Sequence, residues 1–304
     1  MYKVLWFDDE HKTLELIKEE ALIANIHLVG FGNAKSGLKE LEQNYKEYHA
    51  VLLDGLFFKN EKEIGDVKTG EAFAEVAKTL GNLKSQGIII PWFIYSGQKS
   101  FVKDKNILLD VFSKDANACG KVFNKDNDED FIELCNEIKK EANKLPITIA
   151  KNSYADIFEI FELGYLPDSV EENILDLLIK PLPQNNSELK AILTNVRSIH
   201  ESCFLKLTSI RVIPRNITSV SQKFKHLSGN VRKENNWQPT TEVYQSKEML
   251  NLNEWIYYTC GTYIHNLEDQ HYDGYMISNY AVESLKSGLL EILLWFKKVY
   301  EENK

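Results

Sequence analysis

The chain has 304 residues, 43% of them hydrophobic and 27% charged, a globular balance with enough apolar side chains for two separate cores. Its formal net charge is −9, split as −5 over residues 1–150 and −4 over 151–304, which excludes a uniformly basic nucleic-acid binder and leaves room only for a local basic patch. Four widely spaced cysteines (Cys119, Cys135, Cys203 and Cys260) offer neither a CxxC zinc pattern nor a disulfide framework. They are expected to be buried free thiols.

The first half alternates between two kinds of segment. Apolar runs at Lys3–Phe7, His27–Gly30, Ala50–Leu53, Ile88–Tyr95 and Lys121–Phe123 read as buried parallel strands. Between them, helical spacing groups Leu14, Ile17 and Ala21, then Leu38, Leu41 and Tyr45, then Ala72, Val76 and Leu80. A fourth helix is expected over Ile107–Phe112, and a fifth through Phe131, Leu134, Ile138 and Ala142. Strand and helix in strict alternation predict a five-stranded, doubly wound parallel sheet over residues 1–145.

From about residue 146 the pattern becomes helical, predicting an all-α domain over 146–304. Tyr154, Ile157, Phe158 and Phe161 form one stripe, with Gly164 as its stop. Leu189, Ile192, Val196 and Ile199 form another, capped by Asn186 or Ser187. A last long helix is expected over about Ile277–Tyr300, and the aromatic stretch Trp255–Tyr258, with Tyr263, Tyr272, Tyr275 and Tyr280, reads as core and helix-packing surface. Residues 213–249, with Pro214, Gly229 and Pro239 among polar residues, read as a long loop. No run approaches the ~18 apolar residues of a membrane span. The start lacks the basic-then-apolar pattern of a secretory leader, so a cytoplasmic location is expected.

In an open parallel sheet, ligands bind beyond the carboxyl ends of the strands. Asp8, Asp9 and Glu10 follow the first strand, Asp54 the third, Ser96-Gly97 the fourth and Lys125 the fifth. Carboxylates brought together at one sheet edge repel unless a cation offsets them, and hard oxygen donors suit Mg²⁺. A lysine and a hydroxyl beside them suit phosphoryl transfer to a carboxylate.

At these positions the chain resembles response-regulator receiver domains, which carry an acid pair, an acceptor aspartate, a Ser or Thr and a lysine at the ends of strands one, three, four and five. The resemblance implies a flavodoxin-like fold with Asp54 as phosphoryl acceptor. It also implies Mg²⁺ held by Asp9, Asp54 and the Leu56 carbonyl, with Asp8 acting through water. Ser96 and Lys125 would contact the phosphoryl group, and the donor would be a sensor histidine kinase or a phosphotransfer protein. Three departures stand out: Asp126 replaces the family's proline after the lysine, Val122 replaces its switch aromatic, and the segment after Asp54, Phe57–Lys68, is longer by roughly eight residues. Phe123 or Tyr95 is the expected substitute for the aromatic. Asp126 and Val122 motivate an alternative, a pseudo-receiver scaffold that takes no phosphate.

The second half resembles HEPN-type helical domains over Leu189–Phe204 and Gly261–Phe296, about half of that region. The arginine that active members place four to six residues before the histidine is missing ahead of His265, and Arg197 and His200 are only three apart. RNA cleavage is therefore not expected, and His265 and His271 read as structural. Seven cations from Lys206 to Lys233 with no acid among them make nucleic-acid binding the remaining alternative for this half. Homodimerisation through its tyrosine-rich surface is a further expectation. Overall the sequence reads as a two-component response regulator with no enzymatic activity beyond self-phosphorylation and autodephosphorylation.

Overall fold

β1 (Tyr2–Phe7), β2 (Ile26–Phe31), β3 (Ala50–Leu53), β4 (Trp92–Ser96) and β5 (Val122–Asn124) form a parallel sheet in the order β2-β1-β3-β4-β5. This computed structural model describes residues 1–60, 70–97, 114–233, 236–266 and 275–304. The chain divides into two compact units, Met1–Ile149 and Ala150–Lys304.

Alternation along the strands builds two cores, one on each face of the sheet. Leu5 and Phe7 of β1, Val51 and Leu53 of β3 and Ile94 of β4 point to one face. There they pack with α2 (Ala34–Asn44) and α3 (Gly70–Ser85). Val4, Trp6, Leu52, Phe93, Tyr95 and Phe123 point to the other, towards α1 (Glu15–Ile23) and α4 (Asp128–Ala142). Both faces being covered explains why the strands read as unbroken apolar runs. The expected helix at Ile107–Phe112 lies outside the described residues, as do residues 61–69 of the segment after Asp54.

β4 starts later than the sequence suggested. Gly87 adopts φ +84°, and Ile88 N–H donates to the Leu83 carbonyl at 2.9 Å, so Ile88 closes the end of α3 instead of opening a strand. Ile89 is exposed, and Pro91, which has no N–H, precedes the first ladder residue.

α2 approaches β1 closely at Gly37, where an added Cβ would lie 2.3 Å from the Phe7 ring. Helix propensity favours alanine over glycine by about 1 kcal/mol. The fully buried Phe7 ring, already packed against Phe57 at 5.6 Å between centroids, has nowhere to go. Gly37→Ala is therefore expected to destabilise this unit by about 1–3 kcal/mol, read from urea unfolding.

The second unit is built from α5 (Pro146–Ser153, which crosses the division between units), α6 (Ala155–Glu162), α7 (Asp168–Ile179), α8 (Asn186–Ser209), α9 (Val220–Leu227), α10 (Lys247–Asn266) and α11 (Asn279–Asn303). α8 and α11 supply nearly half of its core, among them Leu193, Val196, Ile199, Phe204, Leu289, Leu293 and Phe296. Gly164 adopts φ +68° and ends α6, with Tyr165 N–H on the Ile160 carbonyl at 2.9 Å.

Several expectations for this half need correcting. The cap of α8 is Asn185, one residue earlier than expected, its side chain accepting from Glu188 N–H at 2.9 Å. Residues 213–249 are not a long loop: they contain α9 and an antiparallel ribbon of β6 (Asn230–Lys233) and β7 (Asn236–Pro239). Of the aromatic stretch, only part is core. Ile256, Cys260 and Tyr263 are buried, whereas Trp255, Tyr258, Tyr275 and Tyr280 are exposed because they fall on the other side of their helices or past the helix end; Tyr272 lies outside the described residues. Cys119 is also exposed; the other three thiols are buried. Among the described residues no helix is long and apolar enough to cross a membrane.

Candidate functional site

The ladder itself brings the polar residues together. Asp8 N–H donates to the Phe31 carbonyl and Asp54 N–H to the Phe7 carbonyl, both at 2.9 Å, while Lys125 N–H donates to the Ser96 carbonyl at 3.2 Å. Each residue is thus the first beyond its strand or the last within it, and their side chains gather at one edge. Oxygen atoms of Asp8, Asp9 and Asp54 lie within 4.8 Å of one another. Asp8 is fully buried and Asp54 nearly so, at 6% exposure, with Ser96 at 3%.

Asp8 and Asp54 are each held by a backbone N–H, whereas Asp9 Oδ1 is buried without a hydrogen-bond partner among the described residues. Asp8 Oδ1 accepts from Glu10 N–H at 2.8 Å, and Asp54 Oδ1 accepts from Gly55 N–H at 2.7 Å. The Lys125 ammonium reaches Asp8 Oδ2 at 2.5 Å and Asp54 Oδ2 at 3.4 Å. It also lies 5.9 Å from the centre of the Trp6 ring.

Burial pushes the Asp54 carboxyl above its usual range; the Lys125 charge pulls it back, the Asp8 charge pushes it further up, and hydrogen bonds from Ser96 and Gly55 N–H oppose the rise. Two buried carboxylates sharing one ammonium leave an excess of negative charge. The donor set therefore fits a hard divalent cation such as Mg²⁺, which takes carboxylate oxygens and keeps several waters.

Leu56 follows two residues after Asp54, in the turn out of β3, half-buried. Beyond it the chain is tied to the start of α2. Ala34 N–H donates to the Phe58 carbonyl at 2.8 Å and Lys35 N–H to the Lys59 carbonyl at 3.1 Å.

Tyr95 and Phe123 are both fully buried on the α1/α4 face, and Tyr95 packs against Phe131 at 5.9 Å. Asp126 is exposed, its N–H on the Asn124 side chain at 3.0 Å. No cis peptide occurs among the described residues.

Sequence reasoning missed His11. Its Nδ1 donates to the Asp8 carbonyl at 2.7 Å, since a carbonyl only accepts. The ring fills the space beside Gly30, where an added Cβ would lie 2.3 Å from it. A histidine three residues after an acid and a glycine in β2 were the only signals, and neither points to the other without the β1–β2 pairing.

In the second unit, Arg197 and His200 do not meet in one site. Arg197 donates to Glu201 at 2.8 Å and lies over the Tyr257 ring. His200 is fully buried and bonded to Asn253. His265 is exposed, and His271 lies outside the described residues.

No protein-family model matches this sequence, and no curated protein matches it. Similar solved structures include a response regulator receiver domain protein from Clostridium thermocellum. It is 18% identical, with 47% of this chain and 96% of that one covered and a TM-score of 0.32. The receiver domain of the Francisella response regulator 1452 is 19% identical, with 47% and 98% covered and a TM-score of 0.33. Both of those structures are described as receiver domains; the N-terminal unit of this chain is, by its own topology, a five-stranded parallel sheet in the order β2-β1-β3-β4-β5 with helices on both faces.

Proposed function

We propose that the N-terminal unit is a phosphorylatable switch in which Asp54 accepts a phosphoryl group and thereby controls the helical unit that follows. One observation carries the reading: three carboxylates converge within 4.8 Å at the carboxyl edge of a parallel sheet, with Lys125 3.4 Å from the acceptor. A carboxylate oxygen of Asp54 attacks phosphorus to form an acyl phosphate. The bond from phosphorus to the donor breaks, and its electron pair leaves with the donor. The donor is a histidine imidazole of a kinase or phosphotransfer protein, or a small acyl phosphate.

Asp8, Asp9 and Asp54 would hold Mg²⁺, which supplies charge neutralisation at the transferring phosphoryl oxygens. Lys125 sits where it faces the same oxygens, and the Ser96 hydroxyl, beside Asp54, donates to another. Gly55 N–H keeps Asp54 oriented. Burial excludes water from the acceptor, which strengthens every charge interaction at the edge.

Incubation of the full chain with radiolabelled acetyl phosphate and Mg²⁺ tests the reading. The wild type is expected to take up acid-stable, hydroxylamine-labile label. Asp54→Asn, isosteric and without a nucleophilic carboxylate, is expected to take up none, and EDTA is expected to abolish labelling of the wild type. Equal labelling of Asp54→Asn would remove Asp54 as acceptor. No labelling of the wild type, together with no Mg²⁺-dependent binding of beryllofluoride, would favour a scaffold that takes no phosphate.

A further inference from the structure

From Ser202 to Lys233 the chain has no acidic residue and seven cations: Lys206, Arg211, Arg215, Lys223, Lys225, Arg232 and Lys233. Ion pairs elsewhere in this unit join Lys151 to Glu171, Lys180 to Asp176, Arg197 to Glu201 and Lys297 to Glu159. Among the described residues none joins a carboxylate to Lys206, Arg211, Arg215, Lys223, Lys225 or Lys233. Uncompensated like charges on one stretch of fold cost stability and create a positive field.

The fold gathers part of this run. Buried His226 spans two segments, its Nε2 2.9 Å from the Val212 carbonyl and its Nδ1 3.1 Å from the Asn230 carbonyl. The turn carrying Arg211 therefore meets the start of β6 across the width of one imidazole. On the ribbon, Arg232 of β6 is directly opposite Trp237 of β7, so both side chains leave the same face. From α9 the Lys225 ammonium lies 5.2 Å from the centre of the Trp237 ring. Lys225 and Arg232 are exposed, and Trp237 is half-buried, packed in part against the core of this unit. The result is a partly exposed aromatic ring with a cation on either side, next to the turn that carries Arg211.

We infer that α9 and the β6–β7 ribbon bind single-stranded nucleic acid, the cations taking phosphates and Trp237 stacking on a base. The indole decides among polyanions. An acidic peptide offers the cations charge but gives the ring no planar partner, and a duplex keeps its base faces inside the stack. A single strand offers both phosphates and exposed base faces. The inference stands on the second unit alone and does not depend on phosphoryl transfer at Asp54.

Fluorescence anisotropy with the full chain and a labelled oligothymidine of about 20 nucleotides, longer than a typical single-strand footprint, tests it. Binding is expected to weaken steeply between about 50 and 200 mM salt. Lys225→Glu/Arg232→Glu is expected to weaken it at least about tenfold, and the charge-neutral Lys225→Gln/Arg232→Gln by less. Trp237→Ala is expected to weaken it by about fivefold or more with the charge unchanged, while Trp237→Phe retains most of the affinity. Far-UV circular dichroism identifies any variant that fails to fold, and the glutamine and phenylalanine variants then carry the test. Absence of binding at low salt would overturn the inference, as would affinity unchanged in the charge variants. So would tighter binding to a duplex of the same length, to polyglutamate or to phosphatidylserine vesicles than to the single strand.

Discussion

Lys125→Met is expected to lower the rate at which acetyl phosphate labels the wild-type acceptor by about 10²–10³, the usual cost of removing one preorganised charge from a transition state. The same change is expected to destabilise the N-terminal unit at neutral pH. Methionine keeps the length of the side chain but leaves Asp8, fully buried, and Asp54, nearly so, without the ammonium that now contacts both. Stripping one partner from a buried ion pair costs about 3–5 kcal/mol. Stability is read by hydrogen exchange at β1 and β3 amides, which separates this unit from the other.

The pH dependence has a definite sign. Burial already holds the Asp54 carboxyl above the 3.8 of an unfolded aspartate, and Lys125 is the largest influence opposing that rise. Without Lys125 the native state keeps its proton to still higher pH, so between 3.8 and that higher value it binds more protons than the unfolded chain. Stability then falls as pH rises through the window, and the variant is expected to be closer to wild type near pH 5 than at pH 7. Millimolar Mg²⁺ is expected to restore more stability to the variant than to the wild type, because binding to the native state alone adds to stability by mass action. A deficit independent of both pH and Mg²⁺ would show that Lys125 acts there through packing.

The acidic edge was legible because its residues sit next to the strongest signal in the chain. Runs such as Val4–Phe7 and Ala50–Leu53 are buried on both faces, and the first polar residue after each is necessarily at the sheet edge. The β6–β7 ribbon was not legible. Its strands read Asn-Val-Arg-Lys and Asn-Trp-Gln-Pro, mostly exposed, and two strands that bury little carry almost no alternation. α9 was hidden by its length, eight residues with apolar positions Val220, Phe224 and Leu227 among seven polar neighbours from Ser219 to Ser228. The buried chain from His200 to Asn253 to Gln245 joins residues some fifty positions apart, and only packing of α8 against α10 brings them together.

That chain makes acid sensitivity of the second unit an expected result. Gln245 Nε2 donates to the Phe224 carbonyl and the Ser228 hydroxyl, both at 2.9 Å, so its oxygen faces Asn253 and accepts from Nδ2 at 3.0 Å. Asn253 Oδ1 is then the acceptor for His200 Nε2–H at 2.7 Å, which fixes the tautomer and leaves the other ring nitrogen, Nδ1, as a lone pair. That nitrogen has no hydrogen-bond partner among the described residues. Protonating it would place a positive charge and an unsatisfied donor in the core, so burial pushes the imidazole down to about 4 from an ordinary 6.5; the Asn253 bond and Glu201 resist the fall, and Arg197 adds to it. Between 6.5 and about 4 the unfolded chain takes up a proton that the native state refuses, so stability is lost as pH falls through that window and is unaffected above it. The spacing corresponds to roughly 3 kcal/mol at its acid end. His200→Gln, which keeps a donor for Asn253 and cannot titrate, is expected to flatten this part of the wild-type curve. Hydrogen exchange in α8 and α10, compared between wild type and variant at pH 7 and near pH 4.5, measures the difference. Parallel curves for the two proteins would assign the acid sensitivity to groups other than His200.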